Sequence, residues 1–410
     1  MSAAVSLNIQ AIRAQFPELQ RAFRGKPLAY LDSAATTLKP QCVISALHKF
    51  YSEDYATIHR GAYLLSEKAT KAYEDVRSKV KTFIGAKRTE EIIFTRGTTE
   101  AINLVANTYG QAFIAAGEII LVSAMEHHSN IVPWQMLCER KGCILKVIPM
   151  DDRGVLDLTA YEALLKNHKV ALVCFNHVSN ALGTINPVAK MVAMAKQAGA
   201  KTLVDGAQST AHLKVDVGAW GCDFFAFSGH KIYAPTGVGV LYGRHELLKA
   251  MPPWQGGGDM IHSVSFAKTT YAEPPARFEA GTPAIAEVIG LGVAIDWLLG
   301  LGLEQVDIAE HTMLEYALKK LAEVEGLRFI GTAPEHAGAI SFFLEKAHPH
   351  DIATIVDGQG VAIRAGHHCA QPVMERMGVP ATARASLGIY TLPSDIDQLV
   401  QALHQVNEIF

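Results

Sequence analysis

The chain has 410 residues, of which 49% are apolar and 19% are charged, and its formal net charge is −3. This length allows two or three domains, and the composition is typical of a soluble globular protein. The near balance of 37 basic and 40 acidic side chains gives no indication of a nucleic-acid or membrane-surface partner. No apolar run reaches the ~18 residues that a membrane span requires.

The N-terminus predicts neither a secretory signal nor a transit peptide, because it lacks a basic segment followed by an apolar one and carries Glu18. We expect an amphipathic helix there, over residues 8–23, broken near Pro17. The six cysteines form no CxxC pair, so a zinc site is not expected, and unpaired thiols suit a reducing cytoplasm. Apart from Cys369, they are interpreted as small buried hydrophobes, as Cys174 in the run VALVCF illustrates.

Between residues 90 and 245, short apolar runs alternate with helical patterns. The predicted strands are 91–94, 118–123, 143–149, 170–176, 201–205, 223–228 and 238–243. This alternation predicts an α/β fold with a mostly parallel seven-stranded sheet covered by helices on both faces. Ligands bind where such strands end, and several polar residues follow predicted strand ends, namely Thr98, His128, Asn180, Asp205 and His230.

The last third of the chain has a different pattern. A long helix is predicted after the GTP of residues 281–283, ending near Leu299, and residues 303–410 form an α+β segment with a final helix from Pro393. The stretches around 254–266 and 269–283 are predicted to be irregular loops. We therefore divide the chain into an N-terminal segment at 1–25, a large domain at 26–300 and a small C-terminal domain at 301–410.

Two charged residues at predicted strand ends indicate cofactor chemistry. Lys231 follows a buried strand in FAFSGHK, where its charge must be neutralised or its amine must have a chemical role. With a carbonyl cofactor, the amine would form a Schiff base. Asp205 ends the strand KTLVD and needs a cationic partner such as a protonated pyridine nitrogen. The alternatives are a surface lysine on a loop and an aspartate that caps a helix.

Further polar groups complete the predicted site. Gly97, Thr98 and Thr99 begin a helix directly after a strand, which favours a phosphate, although a plain threonine cap explains the pattern as well. His128 of MEHHSN could stack on a flat cofactor ring or carry protons. The alternatives are a structural histidine and a metal ligand. For metal binding by EHH, however, the sequence has no third ligand at a spacing typical of metal sites.

The segment IRAGHHCAQP places Cys369 beside His367 and His368 and near Arg364. Such neighbours would lower the pKa of the thiol and favour the thiolate, as would the dipole of a helix starting near Ala370. The segment alone does not identify what the thiolate attacks, and both histidines could merely shape the loop.

Taken together, these stretches resemble the cysteine desulfurases of aminotransferase class V, which use pyridoxal 5′-phosphate (PLP), and within them the SufS-like (group II) branch. The resemblance runs from about Ile9 to the last helix. It is carried by the stretches LAYLDSAATTLKP, HRGAYLLS, RGTTEAINLVAN, MEHHSNIVPWQML, HVSNALGTINP, VDGAQST, DFFAFSGHKIYAPTGVGVLYG, MPPWQGGGDMI, RFEAGTP and RAGHHCAQP. One departure is Ala284, where many relatives have asparagine, and it should disturb only a local contact.

The resemblance implies the fold type I of PLP-dependent transferases and a role for each matching residue. Lys231 would form the Schiff base, Asp205 would pair with the pyridine nitrogen, Gln208 would contact the ring oxygen and His128 would stack on the ring. The phosphate would be bound by Thr98, Thr99, Ser228, His230 and, from the second subunit of a homodimer, Thr282. Arg384 would bind the substrate carboxylate with Arg364 close by, and Asn180 would lie near both the cofactor ring and this carboxylate.

The implied reaction is the removal of sulfur from L-cysteine. Lys231 would take the α-proton, and the Cys369 thiolate would attack the substrate sulfur, giving a persulfide and alanine. A SufE-like or SufU-like acceptor protein would receive the sulfur, with iron–sulfur cluster assembly in the cytoplasm as the usual destination.

Three alternatives remain open. Selenocysteine lyase would use the same site, because selenium leaves more readily than sulfur. Kynureninase shares the fold and cofactor but has no use for Cys369. A non-enzymatic PLP-binding scaffold would need neither Lys231 nor Cys369.

Overall fold

The computed structural model describes residues 7–410, so the first six residues of the predicted N-terminal segment lie outside the described part. The centre of the molecule is a seven-stranded sheet with the strands Ile92–Thr95, Ile119–Ser123, Ile144–Ile148, Val170–Asn176, Lys201–Asp205, Phe224–Ser228 and Gly239–Gly243. Their spatial order is first, seventh, sixth, fifth, fourth, second and third. Only the seventh strand runs antiparallel to its neighbours, which confirms the mostly parallel sheet.

The central strands are apolar throughout because both faces of the sheet are covered. Val204 and Phe225 pack on one face, and their chain neighbours Leu203 and Phe224 pack on the other. The helices of this part of the chain are Gln41–Lys49, Leu64–Phe83, Thr98–Val105, Val132–Lys141, Leu158–Asn167, Val188–Gln197, His245–Ala250 and Ile285–Leu301. Cys143, Cys174 and Cys222 are buried, as predicted, whereas the prediction is wrong for Cys42, which is exposed, and for Cys138, which is only partly buried.

The small domain contains a four-stranded antiparallel sheet in the order Leu327–Ile330, Ala339–Leu344, Thr382–Ser386 and Arg364–Gly366. Its helices are Leu303–Leu321, Pro349–Asp357, Gln371–Arg376 and Pro393–Ile409. Residues 29–30, which we assigned to the large domain, pair in parallel with Val361–Ala362. The division of the chain into three parts stays a prediction.

The N-terminal helix is shorter than predicted. It spans Ile9–Arg13, a 3₁₀ turn follows at Pro17–Gln20, and Ala22–Phe23 pairs with Lys26–Pro27 in a small hairpin. Phe16 has extended backbone angles because the following proline disfavours a helical conformation, so the helix cannot continue to residue 23.

Two other predicted elements also differ. The segment 261–271, predicted as an irregular loop, forms a hairpin of Ile261–Val264 and Thr269–Tyr271. The long helix ends at Leu301, and a second helix begins at Leu303 after Gly302, whose φ is 84°. Among residues 7–410 no single helix is long and apolar enough to cross a membrane, and these two helices pass that test only as a pair bent by 75°.

Candidate active site

The strand ends, residues 34–35 and the small domain surround a cavity of about 170 Å³. All predicted site residues except His128 and Thr282 line it, namely Thr98, Thr99, Asn180, Asp205, Gln208, Ser228, His230, Lys231, Arg364, Cys369 and Arg384. Residues far apart in the chain meet here because parallel strands end at one edge of the sheet, and the small domain covers that edge.

Lys231 and Asp205 both line this cavity, Asp205 buried and Lys231 partly exposed, and each affects the pKa of the other. Burial lowers the pKa of Lys231 to about 8, although the Asp205 carboxylate partly opposes the shift. Burial raises the pKa of Asp205, against the backbone N–H of Ala207 at 2.9 Å and the charge of Lys231. A lysine amine with this pKa is neutral in a useful fraction of molecules near neutral pH, so it can act as a nucleophile or a base.

The carbonyl oxygen of His230, directly before Lys231, is held by the segment of residues 29–39. It accepts hydrogen bonds from the Thr37 backbone N–H at 3.1 Å, from the hydroxyls of Thr36 and Thr37 at 3.1 Å, and from Lys39 Nζ at 2.8 Å. These contacts fix the backbone that carries Lys231. Thr36, Thr37 and Lys39 were not among the predicted site residues.

The N-terminus of helix Thr98–Val105 lies at the cavity wall. The Thr98 N–H donates to Ser228 Oγ at 2.9 Å, and the two hydroxyl oxygens are 2.8 Å apart. A Cβ atom at position 97 would lie 3.2 Å from Ser228 Oγ, so a larger residue in place of Gly97 would press on this hydroxyl. Two hydroxyls, backbone N–H groups and a helix N-terminus suit a phosphate.

The two histidines of the EHH stretch point to different places. His127 lines the cavity, whereas His128 does not. The His128 N–H donates to the Cys369 carbonyl at 2.7 Å, and His128 Nε2 accepts from the Gln371 N–H at 3.1 Å. The structure thus places His127, and not His128, where a bound ring could stack.

The Arg384 guanidinium is buried in the cavity wall. Its Nη1 donates to the Asn180 carbonyl at 2.8 Å and its Nη2 to Asp32 Oδ1 at 3.2 Å, and its Nε finds no partner among residues 7–410. Arg364 Nε lies 3.4 Å from Asp32 Oδ2. Burial lowers the pKa of Arg384 to about 10, opposed by Asp32, so it stays cationic at neutral pH. Such a group is suited to binding a carboxylate.

Cys369 lies between strand Arg364–Gly366 and helix Gln371–Arg376, on a loop with unusual backbone geometry. His368 and Cys369 both have φ of 54°, a conformation that side chains rarely adopt. The loop is tied down by Asn180 Nδ2, which donates to the His368 carbonyl at 2.7 Å, and by His128. Cys369 is exposed at the cavity, so its sulfur is accessible both from inside and from solvent.

The structure separates the two histidines beside Cys369. His368 is buried, its Nε2 is 2.8 Å from Thr382 Oγ1, and burial together with Arg384 lowers its pKa to about 3. A neutral His368 cannot stabilise the thiolate by charge. His367 is exposed.

Thr282 lies outside this cavity and lines a second one together with Thr95, Gly237 and Trp254. Its predicted contact with the phosphate of a second subunit stays a prediction. The sequence analysis also missed Asp32 and Asn176. Asn176 could have been found, because it ends the strand beside Asp205.

Comparisons with known proteins identify the family of this chain. The family model for aminotransferase class-V matches residues 29–399. A cysteine desulfurase of Dickeya dadantii is 52% identical over 403 residues, covering 98% of this chain and 97% of the relative. The structure of the cysteine desulfurase CsdA from Escherichia coli has a TM-score of 0.92 at 38% identity and covers 99% of this chain and 100% of its own. The apo structure of a cysteine desulfurase from Thermococcus onnurineus NA1 has a TM-score of 0.93 at 38% identity, with 100% of both chains covered.

Proposed function

Since this chain belongs to the aminotransferase class-V family, as its sequence predicted, we propose that it is a cysteine desulfurase of the SufS-like branch that moves sulfur from L-cysteine to Cys369. The observation that carries this proposal is the meeting of Cys369 and Lys231 in one cavity. The relatives reported above are cysteine desulfurases and match nearly the whole chain.

Cysteine desulfurases of this family use PLP, and the residues of the cavity fit it. Lys231 would hold it covalently and Asp205 would pair with its pyridine nitrogen, which gives a buried carboxylate a cationic partner. Thr98, Thr99, Ser228 and His230 would bind the phosphate, Gln208 the ring oxygen, and His127 would stack on the ring in place of His128. When bound, PLP supplies an electron sink for negative charge at the substrate α-carbon.

The other residues then act on the substrate. Arg384, Arg364 and Asn180 bind and orient its carboxylate, and Lys231 Nζ takes the proton from its α-carbon. The Cys369 thiolate attacks the substrate sulfur. A sulfur–sulfur bond forms, the carbon–sulfur bond breaks with its electron pair staying on carbon, and protonation of that carbon leads to alanine.

The exposure of Cys369 suits transfer of its persulfide to a SufE-like or SufU-like acceptor protein, with iron–sulfur cluster assembly in the cytoplasm as the destination. We further propose a homodimer in which Thr282 reaches the phosphate of the partner subunit. L-selenocysteine would enter the same site, because its carboxylate is identical and its selenium leaves more readily.

The first experiment measures the intact mass of the holoenzyme after L-cysteine is added without reductant, and the alanine released. A gain of sulfur atoms on Cys369, abolished in Cys369→Ser, is expected. Cys42→Ser is the matched control, since Cys42 is also exposed and lies outside the cavity. Alanine formation with no sulfur on Cys369 would contradict the proposed nucleophile. Turnover of kynurenine instead of L-cysteine would contradict the desulfurase reaction.

A further inference from the structure

Asp32 contacts both arginines of the cavity, and no part of the reaction described above uses it. Its Oδ1 lies 3.2 Å from Arg384 Nη2, and its Oδ2 lies 3.4 Å from Arg364 Nε. We propose that Asp32 determines which ligand charge the site prefers. Its carboxylate cancels one of the two positive charges of the arginine pair, so that the pair suits a single negative charge. This inference rests on the proposed function, because it concerns the same carboxylate-binding site.

The position of Asp32 is fixed by the backbone. Residue 32 forms a parallel bridge with Ser386, two residues after Arg384, and the Asp32 carbonyl accepts from the N–H groups of Ala35 and Thr36. The Asp32 side chain is 19% exposed, against 1% for Arg384 and 43% for Arg364. The carboxylate therefore lies between a buried cation and a partly exposed one, and it cannot easily move away from either.

The charge count explains what Asp32 does. Two guanidinium groups and one carboxylate leave one net positive charge, which matches the single α-carboxylate of cysteine. Without Asp32 the pair would carry two positive charges, and two positive charges attract a dianion much more strongly than a monoanion. The field of this pair is felt in the cavity, since Arg384 and Arg364 both contribute to lowering the pKa of Lys231.

An electrostatic role has a quantitative signature. Removal of one charge changes the potential at the binding site by a fixed amount, and the energy of a ligand in that potential is proportional to its own charge. If Asp32→Asn strengthens the binding of a monoanion by a factor f, it should strengthen a dianion of similar size by about f². A role of Asp32 in shape or packing would change both ligands by similar factors.

The test uses equilibrium binding of propionate and malonate to the holoenzyme, measured by calorimetry at pH 8. Both ligands have three carbons, as cysteine has, and they carry one and two charges. Asp32→Asn keeps the shape of the side chain, and we expect about a tenfold gain for propionate and about a hundredfold gain for malonate. Asp75→Asn is the control, an exposed aspartate paired with Lys71 at 2.6 Å, and it should change neither affinity.

Arg364→Gln provides the opposite test and does not depend on the folding of the first variant. It removes a positive charge, so malonate should lose affinity by about the square of the loss for propionate. The proposal is overturned if the ratio of malonate to propionate affinity stays constant in either variant. Binding is measured without turnover, so this test is independent of the desulfurase reaction. If the ratio of malonate to propionate affinity shifts but the protein forms no persulfide on Cys369, only the desulfurase function is overturned.

Discussion

His127 and His128 are neighbours in the chain but have different surroundings. His127 Nδ1 accepts from the Ser129 N–H at 3.0 Å, and burial together with Lys231 lowers its pKa to about 4, so the ring is neutral at pH 7. A neutral ring at the cavity wall suits stacking on an aromatic cofactor. His128 instead supports the loop that carries Cys369 through two hydrogen bonds.

We therefore expect His127→Ala and His128→Ala to fail in different ways. Loss of the stacking ring should raise the dissociation constant of PLP about tenfold, which is the size of an aromatic pair interaction. His128→Ala should retain the cofactor and slow the formation of the Cys369 persulfide. Cofactor absorbance and the mass of the protein after L-cysteine distinguish the two effects, and a loss of cofactor in His128→Ala alone would contradict the assignment.

At the scale of elements, the loop after strand Lys201–Asp205 is joined to helix Leu303–Leu321 by a buried ion pair. His212 Nδ1 lies 2.6 Å from Glu310 Oε2, with both side chains mostly buried. Burial by itself would lower the pKa of His212, but Glu310 and Asp307 raise it overall. This contact links the loop that follows Asp205 to the first helix of the small domain.

The raised pKa predicts how the stability of this link depends on pH. The folded state holds the His212 proton more tightly than the unfolded state, where the pKa is about 6.5. The stabilisation is complete below that value and is lost as pH rises through the folded pKa. His212→Gln should cost about 2 kcal/mol of unfolding free energy at pH 6 and less at higher pH.

Denaturant unfolding of the wild type and of His212→Gln at several pH values checks this prediction. His311→Gln is the control, because His311 pairs with Glu315 on the same helix but both side chains are exposed. A stability difference for His212→Gln that grows as pH rises would show that the pair is not charged in the folded state.

At the scale of the whole molecule, the two ends of the chain are locked together. Arg13 donates two hydrogen bonds to the Asp395 carboxylate, at 2.7 and 3.1 Å, and others to the carbonyls of Leu28 and Tyr390. The pair is buried and joins the first helix to the last one, 382 positions later. It lies next to residues 29–39, which contact both arginines and the carbonyl of His230.

Arg13→Ala should therefore destabilise the protein strongly. It leaves a buried carboxylate without its partner, which typically costs about 3–5 kcal/mol, measured as the free energy of unfolding in denaturant. Arg24→Ala breaks the exposed pair of Arg24 with Asp357 and should cost about 0–1 kcal/mol. Equal effects of the two changes would contradict the structural role of the buried pair.

Much of the fold and of the site follows from the sequence alone. Apolar runs that alternate with helical patterns determine the parallel sheet, because only a sheet buried on both faces needs strands such as VALVCFN. The same patterns place Lys231 and Asp205 at strand ends, and a charged residue there must have a partner in the cavity. The composition around Cys369 likewise indicates a reactive thiol.

Other features depend on contacts that local patterns do not record. Two adjacent histidines look equivalent in the sequence, and only the path of the backbone directs His127 to the cavity and His128 to the cysteine loop. Asp32 meets Arg384 across 352 positions, and residues 29–30 pair with Val361–Ala362 of the small domain. The sequence by itself therefore determined the chemistry of the groups, whereas the tertiary structure decided which of them meet, because long-range packing brings together residues that no local periodicity relates.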